Sequence, residues 1–278
     1  MHRRSMQLGL LTVLGLARQG FFIPYRYAHT LPFPGRNPSY PAVEAVMAAA
    51  VPRFADHLAR IDALEADLAA LGQAPPPHPR WTQDWFPTLD AAAAYAFVRG
   101  EKPKRIVEVG SGHSTRFMKQ AVDDGGLDTH ITAIDAQPNR FVDKLEIDFL
   151  HCTLGDVDSA VFARLGPGDI LFIDSSHILM PGSDVDDLFN RVMPALPAGV
   201  LVHIHDIFLP DDYPAIWDWR GYNEQLGVVA MLTGGGYDVL FASNYVITRM
   251  AGPLAASAVA RLPGKPDSLA ASLWLRKC

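Results

Sequence analysis

From Trp81 to the C-terminus, short apolar runs alternate with helix-like stretches, and this rhythm restricts the chain more than any other feature. The runs Arg105–Val109, His130–Ile134, Phe149–Cys152, Ile170–Ile173 and Val200–His205 read as strands. Helical patterns lie between them near 114–123, 139–145, 158–165 and 184–193. Strands that are apolar almost throughout need cover on both faces, which a parallel sheet between two layers of helices provides. Two later runs, Tyr237–Phe241 and Ser272–Arg276, are placed to close the sheet as a final pair. The expected class is therefore α/β, a doubly wound and mostly parallel sheet of seven strands.

Residues 1–80 follow a different pattern. Phe21, Phe22, Tyr25 and Tyr27 are interleaved with Pro24, Pro32, Pro34, Pro38 and Pro41, and repeated prolines forbid a continuous helix there. From Ala42 to Leu71 the residues Val46, Phe54, Leu58, Ile61, Leu64 and Leu68 recur at three- and four-residue steps, the spacing of one helix face. Gly72 and Pro75-Pro76-Pro77 then end it. The chain divides on this reading into an N-terminal helical cap with a Pro-rich linker, 1–80, and a core, 81–278. The cap is a surface through which two copies can pair.

Met1–Ala17 carries Arg3 and Arg4 ahead of LGLLTVLGLA, which resembles the first two regions of a signal peptide. The apolar run is too short to span a bilayer and no A-x-A site follows it. The expectation is an amphipathic helix that packs on the body, with no stable membrane insertion. Lys and Arg number 24 against 30 Asp and Glu, a net charge of −6, so no broad basic field invites nucleic acid. Cys152 and Cys278 cannot make a disulfide framework, and a reducing, cytoplasmic setting is expected.

The first strand runs into Gly110-Ser111-Gly112-His113-Ser114-Thr115. Glycines allow a tight turn and a close ligand approach, and the helix that follows offers free N–H groups to an anion. A nicotinamide dinucleotide fingerprint requires a third glycine where Thr115 stands, so that reading fails. Asp135 ends the second strand, where a ribose diol is held in such folds, and Leu154-Gly155-Asp156 follows the third.

The set Glu108-x-Gly110-x-Gly112, Asp135 and Asp156 resembles the class I S-adenosylmethionine-dependent methyltransferases, over roughly Trp81 to the C-terminus. The resemblance implies a Rossmann-like core and S-adenosylmethionine as cofactor. It places Gly110, Ser111 and Gly112 along the methionine moiety, Glu108 beside its amino group and Ser114 on its carboxylate. Asp135 would hold the ribose hydroxyls and Asp156 would face the adenine amino group.

Strand four ends Asp174-Ser175-Ser176-His177 and strand five ends His203-Ile204-His205-Asp206. In a doubly wound sheet these termini share one rim. His203 lies one pleat deeper than His205 and is expected in the core. Asp174, His205 and Asp206 resemble the divalent-metal ligands of the metal-dependent small-molecule O-methyltransferases, with His177 at the position of a histidine base. His205 departs from that pattern, which has an acid there, and imidazole favours Mn, Fe or Zn over Mg. The same residues without a metal are an acid and a His-Asp pair facing substrate.

The resemblance implies methyl transfer to a hydroxyl of a small molecule, a sugar or secondary metabolite. Tyr213, Trp217, Trp219 and Tyr222 either wall the acceptor pocket or fill core beneath a loop. Two further readings stand beside this one: a metal-dependent oxygenase using His177, His205 and one Asp as a facial triad, and a catalytically inactive cofactor-binding module.

Overall fold

The fold was analysed in a computed structural model that describes residues 3–33, 35–138 and 141–278. Among the described residues, seven strands form one sheet: β1 (Arg105–Val109), β2 (His130–Ile134), β3 (Asp148–Leu150), β4 (Ile170–Ile173), β5 (Leu201–Ile204), β6 (Tyr237–Ala242) and β7 (Leu273–Lys277). Their order is β3-β2-β1-β4-β5-β7-β6. The first five pair in parallel, while β7 runs antiparallel to both β5 and β6. The expected doubly wound sheet is thus observed, with the late pair inserted so that the last strand lies inside the sheet. Every residue of β4 and β5 is buried, which accounts for their unbroken apolar character.

Among the described residues, eleven helices accompany the sheet: α1 (Arg3–Val13), α2 (Pro41–Asp62), α3 (Glu65–Ala70), α4 (Thr88–Glu101), α5 (His113–Asp124), α6 (Ala160–Ala163), α7 (Asp184–Asp187), α8 (Met193–Ala195), α9 (Glu224–Thr233), α10 (Ser243–Arg249) and α11 (Ala251–Ala256). A π-helical turn, Leu188–Val192, joins α7 to α8, so the stretch expected as one helix is continuous but irregular. The helix expected near 139–145 begins on Asn139 and Arg140, outside the described residues, and its remainder forms only the 3₁₀ turn Val142–Lys144. Residues 243–270, between the antiparallel strands, hold α10, α11 and a 3₁₀ turn at Ala258–Arg261.

The apolar steps foreseen for 42–71 are divided between α2 and α3. Val43, Met47, Phe54, Leu58 and Ile61 form the buried face of α2. That face joins the same apolar cluster as the sheet, with the Phe54 ring 5.9 Å from Phe241 and 5.7 Å from Tyr245. His57 stacks on Phe97 at 3.8 Å and lies against the carbonyl of Ala93 at 3.2 Å. The helix expected at the N-terminus forms as α1; its Leu8 and Gly9 border the same space as Gly110 and Ser111 at the exit of β1, while Met6, Leu10 and Val13 are exposed.

The fold brings one rim of the sheet to a focus. Gly110 N–H donates to Ile134 and Asp174 N–H donates to Val109, at 2.9 and 2.8 Å, so the exits of β1, β2 and β4 are tied side by side. His205 N–H donates to Ile173 at 2.9 Å, which adds the exit of β5. Parallel pairing with matched register makes this convergence automatic, since every strand of β1, β2, β4 and β5 leaves the sheet on the same edge.

Candidate active site

At the exit of β1, Gly110 adopts a φ of +83°, and a Cβ there would lie 2.0 Å from the carbonyl oxygen of Asp174. Glycine is required both for the left-handed backbone and for this contact. Gly112 instead has an extended φ of 169° and caps α5, its N–H donating to Thr115 Oγ1 at 2.9 Å. Asp135 closes the turn from the neighbouring strand, accepting from Ser111 N–H at 3.0 Å and from the Ser111 hydroxyl at 2.8 Å.

Glu108 is fully buried beneath the turn. Its Oε1 accepts from the Ser114 hydroxyl at 2.6 Å, while Oε2 is buried without a hydrogen-bond partner. Burial, opposed by the hydroxyls of Ser114 and Thr115, pushes its carboxyl up to about 8. An orphaned buried carboxylate oxygen is costly and suits a cationic ligand group such as an ammonium. The Ser114 hydroxyl, expected on a ligand carboxylate, is committed to Glu108 instead.

A cleft of ≈ 1040 Å³ opens over this turn, lined among others by Gly110, Ser111, Asp135, Thr153, Leu154 and Asp174. Six of the expected cofactor positions therefore divide three ways. Gly110, Ser111 and Asp135 face the cleft, Glu108 and Ser114 lie beneath or beside it, and Asp156 does not line it. Asp156 accepts from the Thr153 hydroxyl at 2.7 Å, leaving Thr153 and Leu154 as the wall from that loop.

A smaller recess of ≈ 350 Å³ adjoins the cleft, with Phe86, Asp174, His177, His205, Asp206 and Tyr222 among its walls. The two spaces share Ser111, Asp174, Ser175 and Arg220. His177 and Asp206 hold left-handed backbone, with φ of +60° and +56°. Such strain in residues other than glycine persists only where the surroundings fix it. The carbonyl of His177 accepts from the N–H groups of Asn223 and Glu224 at 3.1 and 3.3 Å, at the start of α9.

The side chains form a buried chain of charge. His177 Nδ1 meets Glu224 Oε2 at 2.8 Å, and its Nε2 lies 3.3 Å from Asp174 Oδ1 and 3.4 Å from Asp206 Oδ2. His205 Nδ1 lies 3.5 Å from Asp174 Oδ1 and 3.4 Å from Asp206 Oδ1, with Asp90 Oδ2 3.4 Å from its Nε2. Burial disfavours charge on both imidazoles, but the carboxylates outweigh it. Asp174, Glu224 and Asp206 hold His177 well above the usual histidine range. Asp206, Asp174 and Asp90 do the same for His205. Burial also pushes Asp174 upward, yet His205 and His177 together bring it below the usual carboxylate range. Burial raises Asp206 and Glu224 despite the neighbouring imidazoles.

Asp174, His205 and Asp206 do converge as expected for metal ligands. However, among the described residues no group of three or more His, Cys, Asp or Glu side chains is arranged to hold a metal ion. His177 and His205 meet Asp174 and Asp206 only at ion-pair separations of 3.3–3.5 Å, and neither ring nitrogen of His205 has a hydrogen-bond partner. The expected oxygenase triad draws on the same His177, His205 and Asp residues and meets the same obstacle. His203, expected in the core, is fully buried, stacked on Phe172 at 3.7 Å and bonded to the Ser272 hydroxyl at 2.8 Å.

Of the aromatic segment after β5, Tyr222 reaches the recess, its ring 4.5 Å from that of His177. Trp217 packs on Phe208 at 5.0 Å and holds the Arg220 guanidinium over its face at 4.3 Å. Reading the sequence missed Glu224, Asp90 and Arg220. Glu224 and Asp90 are buried acids at the fronts of α9 and α4, and an acid in a first helical turn is ordinarily an exposed partner of the helix dipole.

Residues 107–207 match a family model described as a methyltransferase domain. No curated protein matches the chain. Among solved structures, the plantazolicin methyltransferase BpumL, in complex with a pentazolic desmethyl analogue and SAH, is 14% identical. That match has a TM-score of 0.46 and covers 84% of this chain and 99% of BpumL. The O-methyltransferase TomG from Streptomyces achromogenes, in complex with SAM, is 16% identical with a TM-score of 0.41, covering 80% and 89%. The SAH-bound methyltransferase PaMTH1 of Podospora anserina is 14% identical with a TM-score of 0.40, covering 93% and 99%. Residues 107–207, which run from β1 through β5 and include the glycine turn, thus match a methyltransferase-domain model, within a seven-stranded and mostly parallel sheet.

Proposed function

We propose that this chain transfers the methyl group of S-adenosylmethionine to a hydroxyl of a small molecule, with His177 as the general base. The observation that carries this reading is the wall at Ser111, Asp174 and Ser175, which the recess holding His177 shares with the cleft above the glycine turn. The turn and its cleft suit the cofactor: Glu108 Oε2, beneath the turn, is a buried oxygen without a partner, fitted to an ammonium, and Asp135 lines the space where a ribose would lie.

The cofactor supplies an electrophilic methyl on a sulfonium. The protein must place an acceptor oxygen in line with it and remove that oxygen's proton. His177 Nε2 faces the recess between Asp174 and Asp206, so an acceptor hydroxyl entering there comes within reach of an imidazole nitrogen. Neutral His177 takes the proton, and the three carboxylates around the ring stabilise the imidazolium that results. Glu224 fixes the ring through Nδ1, so that Nε2 is the nitrogen presented. Tyr222 and Phe86 supply apolar walls that limit the acceptor to a small group at this point.

The test is transfer of labelled methyl from S-adenosylmethionine to a panel of hydroxylated sugars and phenols, with the product mass identified. Label appearing in an O-methyl product supports the assignment. Oxygen consumption with no methylated product would move it to the oxygenase class, and tight cofactor uptake with no turnover on any acceptor would leave a binding module.

A further inference from the structure

The N-terminal segment differs from the body in charge and in the side chains it exposes. The first 43 residues contain five arginines (Arg3, Arg4, Arg18, Arg26 and Arg36) and no Asp or Glu, while residues 44–278 carry a net −11. Of the 17 large apolar side chains exposed among the described residues, 12 fall between Met6 and Phe33. A tenth of the chain therefore carries most of the large exposed apolar side chains, far more than the scattered single residues of an ordinary surface.

The patch is organised. Met6, Leu10, Val13 and Leu14 are spaced as one stripe of α1 and its last turn, and all point to solvent, with Leu14 66% exposed. Leu8 and Leu11, on the other flank, are only half-buried. Beyond the helix, Phe22 is 67% and Phe33 74% exposed, and Tyr25 and Tyr27 stand outward beside Arg26. An apolar stripe turned outward, flanked by arginines and followed by tyrosines, is the composition of a segment that lies in a headgroup layer. There, apolar side chains enter the acyl boundary, aromatic rings sit at the interface and guanidinium groups pair with phosphates.

We propose that residues 3–33 dock this protein on the surface of an anionic lipid bilayer. The docking is peripheral, since no described helix is long and apolar enough to cross a membrane. A second copy of the chain is a poorer occupant. A two-fold interface would set the same patch against itself and bring eight arginines together with no carboxylate from the segment to pair them. The proposal does not depend on the catalytic reading: Leu8, Phe21 and Ile23 of the segment line the cleft, but Leu10, Leu14 and Phe22, on which the test rests, line neither the cleft nor the recess.

Flotation of the full chain with vesicles of phosphatidylglycerol and phosphatidylcholine, and with phosphatidylcholine alone, tests it. The chain should float with the anionic vesicles and remain at the bottom with the neutral ones. At about 1 M salt, where the Debye length falls to about 3 Å, binding should weaken strongly. Each of Arg4→Gln, Arg18→Gln and Arg26→Gln should lower partitioning about fivefold. A combined Leu10→Ser, Leu14→Ser, Phe22→Ser variant should abolish flotation while its far-ultraviolet dichroism and melting stay those of the parent. Failure of the parent to float, or equal flotation of the serine variant, overturns the proposal. So does a parent that is dimeric in solution, does not float, and becomes monomeric on the serine substitutions, since the patch then belongs to a second copy.

Discussion

His177 Nδ1 lies 2.8 Å from Glu224 Oε2, joining a strained loop residue after β4 to the first residue of α9 across 47 positions of sequence. The same helix end donates two backbone N–H groups to the His177 carbonyl, so ring and backbone are held by one element. Imidazole orientation in the recess is therefore tied to α9 as well as to the loop that carries His177.

Removing the base tests the proposed role directly. His177→Ala should lower turnover about 10²–10⁴-fold, the usual worth of a positioned proton acceptor, while cofactor affinity measured by calorimetry stays within about twofold. A variant that turns over at the parent rate would remove His177 from the chemistry.

The pH dependence carries a definite sign. A base acts in its neutral form, and the surrounding carboxylates hold His177 well above the usual histidine range. Turnover should therefore be low at neutral pH and rise toward alkaline pH through that elevated value. Glu224→Gln keeps the shape and removes one of the charges, so the rising limb should move to lower pH by about one to two units, as expected for losing a charge-assisted hydrogen bond. An unmoved limb in the Gln variant would mean that Glu224 does not tune the ring.

Cofactor binding should be linked to protons through Glu108. Its carboxyl is pushed up to about 8 by burial, so in the free protein it is largely protonated at pH 7. Pairing with an ammonium requires the charged form. Affinity should rise as pH increases toward 8, with proton release visible as calorimetric heats that depend on the buffer. Glu108→Gln should weaken binding and erase the proton release; heats identical in all buffers for the parent would contradict the pairing.

The glycine turn has no room for a side chain. Gly110→Ala places a methyl 2.0 Å from the Asp174 carbonyl oxygen at a φ of +83°. The turn must open, at a cost of about 2–4 kcal/mol, the range for strained backbone with an added clash. Thermal unfolding should shift down accordingly, and cofactor affinity should fall more than tenfold because Ser111 and Asp135 are displaced with it.

Acid should destabilise the fold through His57. It is buried against Phe97 and Ala93, and burial lowers its pKa to about 3. Between about 3 and 6.5 the unfolded chain binds a proton that the folded chain does not, so stability contributed by neutral His57 is lost as pH falls through that window. The slope is about 1.4 kcal/mol per pH unit at most. Chemical denaturation of His57→Phe should show a flatter dependence below pH 6.5; an unchanged slope would place the acid sensitivity elsewhere.

The strands were legible because their chemistry is local. β1, β2 and β4 begin and end where apolar content predicts, and the Gly110 bend follows from the residue type alone. The fold class and the gathering of Asp174, His177, His205 and Asp206 at one rim follow from that alternation, since parallel strands deliver their exits to one edge. What the sequence could not carry is direction and partnership. Ser114 reads as a ligand contact but serves Glu108, and Asp156 follows the right strand yet turns to Thr153. Glu224 and Asp90 look like solvent-facing acids of helix starts until α9 and α4 press them against imidazoles. The outward stripe of α1 has the periodicity of a core-facing helix, and only its placement shows that the apolar side faces away. Periodicity is a property of neighbours along the chain. Which carboxylate meets which imidazole, and which face of a helix is covered, is decided by elements distant in sequence that pack together.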